Sequence, residues 1–265
     1  MAGNEGARHD GGGHDGMEGE AGQIALRGIV YEDRGWRLTA DLEIESGGCV
    51  ALIGPSGAGK STLLNLIAGF AQPVQGRILV GGCDVTRLPP DQRPVTTVFQ
   101  EHNAFAHLTV AQNVGLGLHP GLRLGAAERA AVAQALAAVG LDALAGRRPG
   151  QLSGGQRQRI GLARALVRRR PVLLLDEPFS ALGPALRREM LRLVTELRLA
   201  HGLTVVLVSH DPEDARLAAG RCAFIDEGRL LAEGPTADLL ARRDLPALSA
   251  YLGHADPGHA DPGQK

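Results

Sequence analysis

The chain has almost no lysine: of its 28 basic residues only Lys60 and Lys265 are lysines, the rest being arginine. Aromatic residues are scarce at 3%, and the three cysteines, Cys49, Cys83 and Cys222, are odd in number and far apart. Without C-x-x-C spacing they exclude a disulfide framework and a zinc ribbon, and fit a reducing compartment. A surplus of one charge is missing too. The formal net charge of −1 provides no electrostatic footprint for nucleic acid or an anionic membrane surface. No apolar run approaches the ~20 residues of a membrane-spanning helix, and the first residues lack the basic start and apolar centre of a secretory signal. Work at a membrane would therefore go through a partner.

What is present suffices for a sizeable core, with 265 residues of which 44% are hydrophobic. Residues 1–23 are Gly-rich and polar, so burial cannot offset the entropy of ordering them, and a disordered tail is expected. Residues 246–265 are expected to form a flexible tail as well; there His254-Ala255-Asp256-Pro257-Gly258 is repeated at once as His259-Ala260-Asp261-Pro262-Gly263. The tail histidines His9, His14, His254 and His259 have no cysteine or fixed scaffold beside them and read as solvated. The folded domain is expected over 24–245.

Within it, Val50-Ala51-Leu52-Ile53 leads into Gly54-Pro55-Ser56-Gly57-Ala58-Gly59-Lys60-Ser61-Thr62 and then into Leu63-Leu64-Asn65-Leu66. Strand, glycine loop and helix in that order fit G-x-x-x-x-G-K-S/T at every fixed position. Gly57 and Gly59 let backbone N–H groups wrap a phosphate chain, and the helix beginning near Lys60 points its positive end at the same anion. Lys60 is placed to reach the β- and γ-phosphates of a nucleotide, and Ser61 to ligate Mg²⁺. Arginine does not replace lysine where a compact point charge must fit a tight cradle.

Val50–Ile53, Val172–Leu175 and Thr204–Val208 are unbroken apolar runs, as expected of parallel strands covered on both faces. Each is followed by polar residues: the glycine loop, Asp176-Glu177 and Ser209-His210. Ligands of such sheets bind outside the carboxyl ends of the strands, so these three sets should converge. Ile24–Tyr31, the alternating Leu38–Ile44 and Gly76–Val80 predict a small antiparallel sheet beside them. Residues 102–160 read as an inserted helical subdomain, and Pro184–Leu199 as an amphipathic helix with Leu186, Met190, Leu193 and Leu197 facing the core. The fold class is thus α/β: a P-loop NTPase core with a mainly parallel sheet, a flanking antiparallel β subdomain and an inserted α-helical one.

Leu152-Ser153-Gly154-Gly155-Gln156 then heads a helix. Alone it is a good helix cap. In order with Lys60 upstream, Gln100 after the strand at Val95–Phe99, and Asp176, Glu177 and His210 downstream, it makes the chain resemble the nucleotide-binding subunit of an ATP-binding cassette transporter over about Ile24 to Leu240. The resemblance implies that ATP and Mg²⁺ bind at Gly54–Thr62, with Asp176 holding the metal through water beside Ser61 and Gln100. It further implies that Glu177 is the general base for the attacking water and that His210 contacts the γ-phosphate. Gln100 would sense that phosphate and the membrane partner. One carboxylate cannot both hold the metal and accept the proton, and Asp176-Glu177 supplies two. Ser153 and Gly155 would face the γ-phosphate held by a second copy, so that a homodimer sandwiches two nucleotides. Tyr31 is the expected adenine stacker, with Trp36 the alternative.

The stretch from Phe99 to Leu122 and Leu64-Asn65-Leu66-Ile67-Ala68-Gly69-Phe70 resemble, more narrowly, the ATPase subunit of bacterial thiamine importers. That implies two copies of a transmembrane permease, a periplasmic or extracellular solute-binding protein, no nucleic acid, and a peripheral place on the cytoplasmic face of the bacterial inner membrane. Importers of another solute, such as ferric iron or a polyamine, share the same engine, and a soluble nucleotide-gated ABC module not coupled to transport is the other alternative. One departure stands out: Ser180-Ala181-Leu182 is followed by Gly183 where the family has Asp. It leaves hydrolysis intact by expectation and puts communication between the two sites in question.

Overall fold

The computed structural model describes residues 21–99 and 104–253. Four segments build the part nearest the amino terminus: β1 (Ile24–Asp33), β2 (Trp36–Ile44), β3 (Cys49–Ile53) and, after the phosphate loop, α1 (Lys60–Ala68). Next come β4 (Gln75–Val80), β5 (Cys83–Asp84) and β6 (Val95–Val98), then the helices α2 (Val110–Gly115), α3 (Ala126–Ala138) and α4 (Gly154–Val167). The rest is β7 (Val172–Asp176), α5 (Pro184–His201), β8 (Thr204–Val208), α6 (Pro212–Ala218), β9 (Arg221–Asp226), β10 (Arg229–Pro235), α7 (Thr236–Ala241) and α8 (Pro246–Tyr251).

Among the described residues ten strands join one sheet in the order β5-β4-β1-β2-β10-β9-β3-β8-β7-β6. From β9 to β6 the pairing is parallel, with β3 between β8 and β9. The apolar runs are buried on both faces because each divides its residues between two cores. Val50, Leu52, Val172, Leu174, Val206 and Val208 pack with α1 and the antiparallel strands. Ala51, Ile53, Leu173, Leu175, Val205 and Leu207 pack with the opposite helical layer. Period-two alternation thus needs no polar residue here, since neither face is wet.

The antiparallel strands are continuous with the parallel ones instead of forming a separate sheet. The join is narrow: β10 pairs with β2 at Arg229 and Thr39. Gly228, in the turn before β10, takes the Thr39 N–H on its carbonyl at 2.7 Å and donates its own N–H to Ala58 of the phosphate loop at 3.0 Å. Its φ is +73°, and a Cβ there would lie 2.1 Å from the Arg37 carbonyl oxygen, so only glycine fits.

Two expectations are corrected. The chain from Pro246 to Tyr251 is a helix with Leu248 fully buried, not a flexible tail. On α5 the buried face is Met190, Leu191, Val194 and Leu197. Leu186 and Leu193 are half-buried, and Leu186 lies over Gly155 of α4, where an added Cβ would come within 2.6 Å of it.

Candidate active site

The phosphate loop is held open by its own lysine. Gly54 has φ +146°, and a Cβ there would meet the Ile225 carbonyl oxygen at 2.0 Å, so β3 turns out of the sheet only at glycine. Lys60, 5% exposed, donates through Nζ to the carbonyls of Gly54 at 2.8 Å and Pro55 at 2.7 Å. The first N–H groups of α1 lack intrahelical acceptors and, with the helix dipole, make an anion site. Burial lowers the Lys60 pKa, while the carboxylates of Glu177 and Asp176 pull it back up.

At the end of β7, Asp176 Oδ1 accepts a hydrogen bond from Ser61 Oγ at 2.9 Å. Burial raises the Asp176 pKa; the Ser61 bond opposes this, Glu177 adds to it and Lys60 opposes it. One hydroxyl and one carboxylate make a sparse set of hard oxygen donors. Among the described residues no three His, Cys, Asp or Glu gather to hold a metal. Such a set suits Mg²⁺, which keeps several waters and takes phosphate oxygens, and not a metal that needs an all-protein cage.

Glu177 follows in the left-handed region, at φ +44°. Its N–H bonds the Val208 carbonyl at 3.2 Å, and its carbonyl accepts from the Ser180 N–H at 3.3 Å and hydroxyl at 3.1 Å. The side chain is thereby turned toward His210, whose Nδ1 lies 3.3 Å from Glu177 Oε2. The ends of β3, β7 and β8 have therefore converged.

Beside them lies a cleft of about 570 Å³ lined by Asp33, Trp36, Ser56, Gly57, Gly59, Lys60, Ser61, Thr62 and Glu177. The aromatic ring on this lining is Trp36. Tyr31 meets Trp36 edge-on, with centroids 6.5 Å apart, and packs against the core beneath β1 and β2. Ser153 and Gly155 stand outside the cleft: Ser153 caps α4 reciprocally with Gln156, and Gly155 is buried. Gln100 lies outside the described residues.

Sequence reading missed the group that fixes the His210 loop. Arg187, on the first turn of α5, pairs with Asp211 at 3.4 Å and with Asp214 at 2.5 Å, and Asp214 Oδ2 also accepts from Ser209 Oγ at 2.7 Å. The one sequence signal was the placement of Asp211 and Asp214 directly after a parallel strand end.

A glycine loop opening onto a helix dipole, an ammonium within it, and a carboxylate pair and imidazole at neighbouring strand ends define a P-loop nucleotide-binding site. Residues 39–180 match the family described as ABC transporter. The chain is 56% identical over 219 residues to the thiamine import ATP-binding protein ThiQ of Chelativorans sp. (strain BNC1), covering 83% of this chain and 89% of that protein. To ThiQ of Cereibacter sphaeroides it is 55% identical over 230 residues, covering 87% and 99%. Among solved structures, the dimeric post-hydrolysis state of the ATP-binding cassette MJ0796 bound to ADP and Pi is similar at 31% identity and a TM-score of 0.68, covering 80% of this chain and 98% of that one. The chain belongs to the ABC transporter family, as one of its ATP-hydrolysing cassettes.

Proposed function

We propose that this chain powers a bacterial importer of thiamine or its phosphates, bound peripherally to the cytoplasmic face of the inner membrane through two permease subunits fed by a solute-binding protein. The solute is supported by identity above one half, over most of both chains, with relatives named for thiamine import. The chemistry is supported by the Ser61–Asp176 and Glu177–His210 contacts beside the buried Lys60. No helix among the described residues is long and apolar enough to cross a membrane. Phe70, Phe99 and Phe105 are exposed instead, and the rings of Phe70 and Phe99 lie 5.8 Å apart. The apolar surface at Phe70 and Phe99 suits a permease contact.

In this reading residues Gly54 to Thr62, namely Gly54, Pro55, Ser56, Gly57, Ala58, Gly59, Lys60, Ser61 and Thr62, bind the triphosphate, and Trp36 or Tyr31 supports the adenine. Mg²⁺, held by Ser61, Asp176 and Gln100, would supply charge neutralisation at the phosphates. Glu177 takes the proton of the attacking water, and His210 holds the base and the γ-phosphate side in register. Ser153 and Gly155, standing outside their own cleft, serve the nucleotide of the second copy in a homodimer.

The test is ATP hydrolysis by this subunit reconstituted with a thiamine-type permease and its binding protein. Stimulation by thiamine-loaded binding protein, abolished in Lys60→Ala, is expected. Hydrolysis indifferent to thiamine would discard the solute, and none at all would discard the engine.

Gly183 offers a separate prediction. It caps α5 in an extended conformation, φ −64° and ψ 158°, and an added Cβ would meet nothing within 4 Å. Aspartate is a favoured cap, so Gly183→Asp should fold normally and bind ATP unchanged. The Hill coefficient for ATP in the assembled transporter is expected to change; if it stays the same, this position does not carry communication between the sites.

A further inference from the structure

Helix α8 is anchored by Leu248 and ends on Tyr251, which reaches the catalytic end of the sheet. The phenol donates to the backbone carbonyl of His210 at 2.7 Å, across 41 residues of sequence. The ring packs on Phe224 with centroids 5.6 Å apart, and Phe224 pairs with Ile53, the last residue before Gly54. Burial pushes the phenol up to about 12. The hydroxyl therefore keeps its proton to donate at neutral pH. Ser209 and Asp211 are tied to one another and to α5: the Asp211 N–H bonds Ser209 Oγ at 3.0 Å, the Ser209 hydroxyl donates to Asp214, and Arg187 pairs with Asp211 at 3.4 Å. Tyr251 reaches the residue between them from helix α8.

We infer that Tyr251 is a positioning residue for ATP hydrolysis: its phenol ties the main chain of His210 to helix α8, and its ring is seated on Phe224 beside the end of β3, so that helix α8 sets where the imidazole meets Glu177. This rests on the reading of His210 given above. Anchoring α8 requires only apolar contacts, which Leu248 and the Tyr251 ring supply; the hydroxyl is needed only for the link to His210.

Tyr251→Phe keeps the ring and removes that link. In the full-length protein its kcat is expected to fall about three- to tenfold, the size of one lost hydrogen bond. KM for ATP should stay within about twofold, as for an interaction that matters in the transition state, and Tm should fall by no more than about 4 °C. In the double variant with His210→Ala, Tyr251→Phe should cost nothing further, because the group it positions is gone. A strongly impaired His210→Ala beside a Tyr251→Phe of wild-type kcat would overturn the tether alone, as would losses that simply multiply in the double variant. If His210→Ala itself hydrolyses normally, the role of His210 falls and the tether with it.

Discussion

The Glu177→Gln variant is expected to bind Mg-ATP with near-wild-type affinity, to close on it as a dimer, and to hydrolyse it about a hundredfold to ten-thousandfold more slowly. Glutamine keeps the length of the side chain and a hydrogen-bond acceptor near His210 Nδ1, but it cannot take a proton. The neighbouring Asp176 is no substitute, since its Oδ1 is engaged by Ser61 at 2.9 Å. The backbone at Glu177 already stores strain at φ +44°, on the order of 1–3 kcal/mol. It is held by three hydrogen bonds to Val208 and Ser180 that do not involve the carboxylate. Loss of turnover should therefore come without loss of fold. Single-turnover hydrolysis together with size-exclusion chromatography in ATP checks both halves; turnover at the wild-type rate would move the base elsewhere.

A second large effect is expected far from the phosphates. Arg93 is fully buried, yet it carries a guanidinium. It donates to the carbonyls of Leu88 at 2.8 Å, Thr86 at 2.9 Å, Leu66 at 2.6 Å and Ile67 at 2.9 Å. Leu66 and Ile67 belong to the last turn of α1, where carbonyls lack helical partners and the dipole favours a cation. Arg93→Met fills much of the space but leaves these carbonyls unpaired in a dry site, so stability should drop by about 3–5 kcal/mol. Urea unfolding with an unchanged m-value would show it. A loss below about 1 kcal/mol would mean that water replaces the guanidinium.

Arg93 also marks where sequence reading stops. Its surroundings, Asp91-Gln92-Arg93-Pro94, have the look of a solvated turn, and the four carbonyls it serves come from segments brought together only by folding. The central strands were readable because both of their faces are apolar, and the phosphate loop because its glycines and lysine answer local demands of backbone and charge. Helices α7 and α8 are too short for periodicity to speak, and β10, Arg229-Leu230-Leu231-Ala232-Glu233-Gly234-Pro235 without strict alternation, draws its place from the ladder with β9. The α5 stripe was misread by part of a turn because Leu186 and Leu193 satisfy the helical spacing as well as Leu191 and Val194 do; contact with Gly155 decides. Trp36 shows the same limit. Both aromatics lie on paired strands, and only their three-dimensional register places tryptophan, not Tyr31, on the cleft lining.

The narrow join at Gly228 makes the molecule unequally tolerant of length changes. The turn between β4 and β5, at the edge of the sheet, is open at Gly82, where an added Cβ would meet nothing within 4 Å, so residues added there would leave the cleft untouched. One residue added at Gly228 would act on the Thr39 and Ala58 contacts together, displacing the strand bearing Trp36 relative to the phosphate loop by up to a residue's rise, about 3.3 Å. The spacing between the base end and the phosphate end of a bound nucleotide is thus gauged by a single turn, and insertions compatible with function are confined to the outer rim of the sheet.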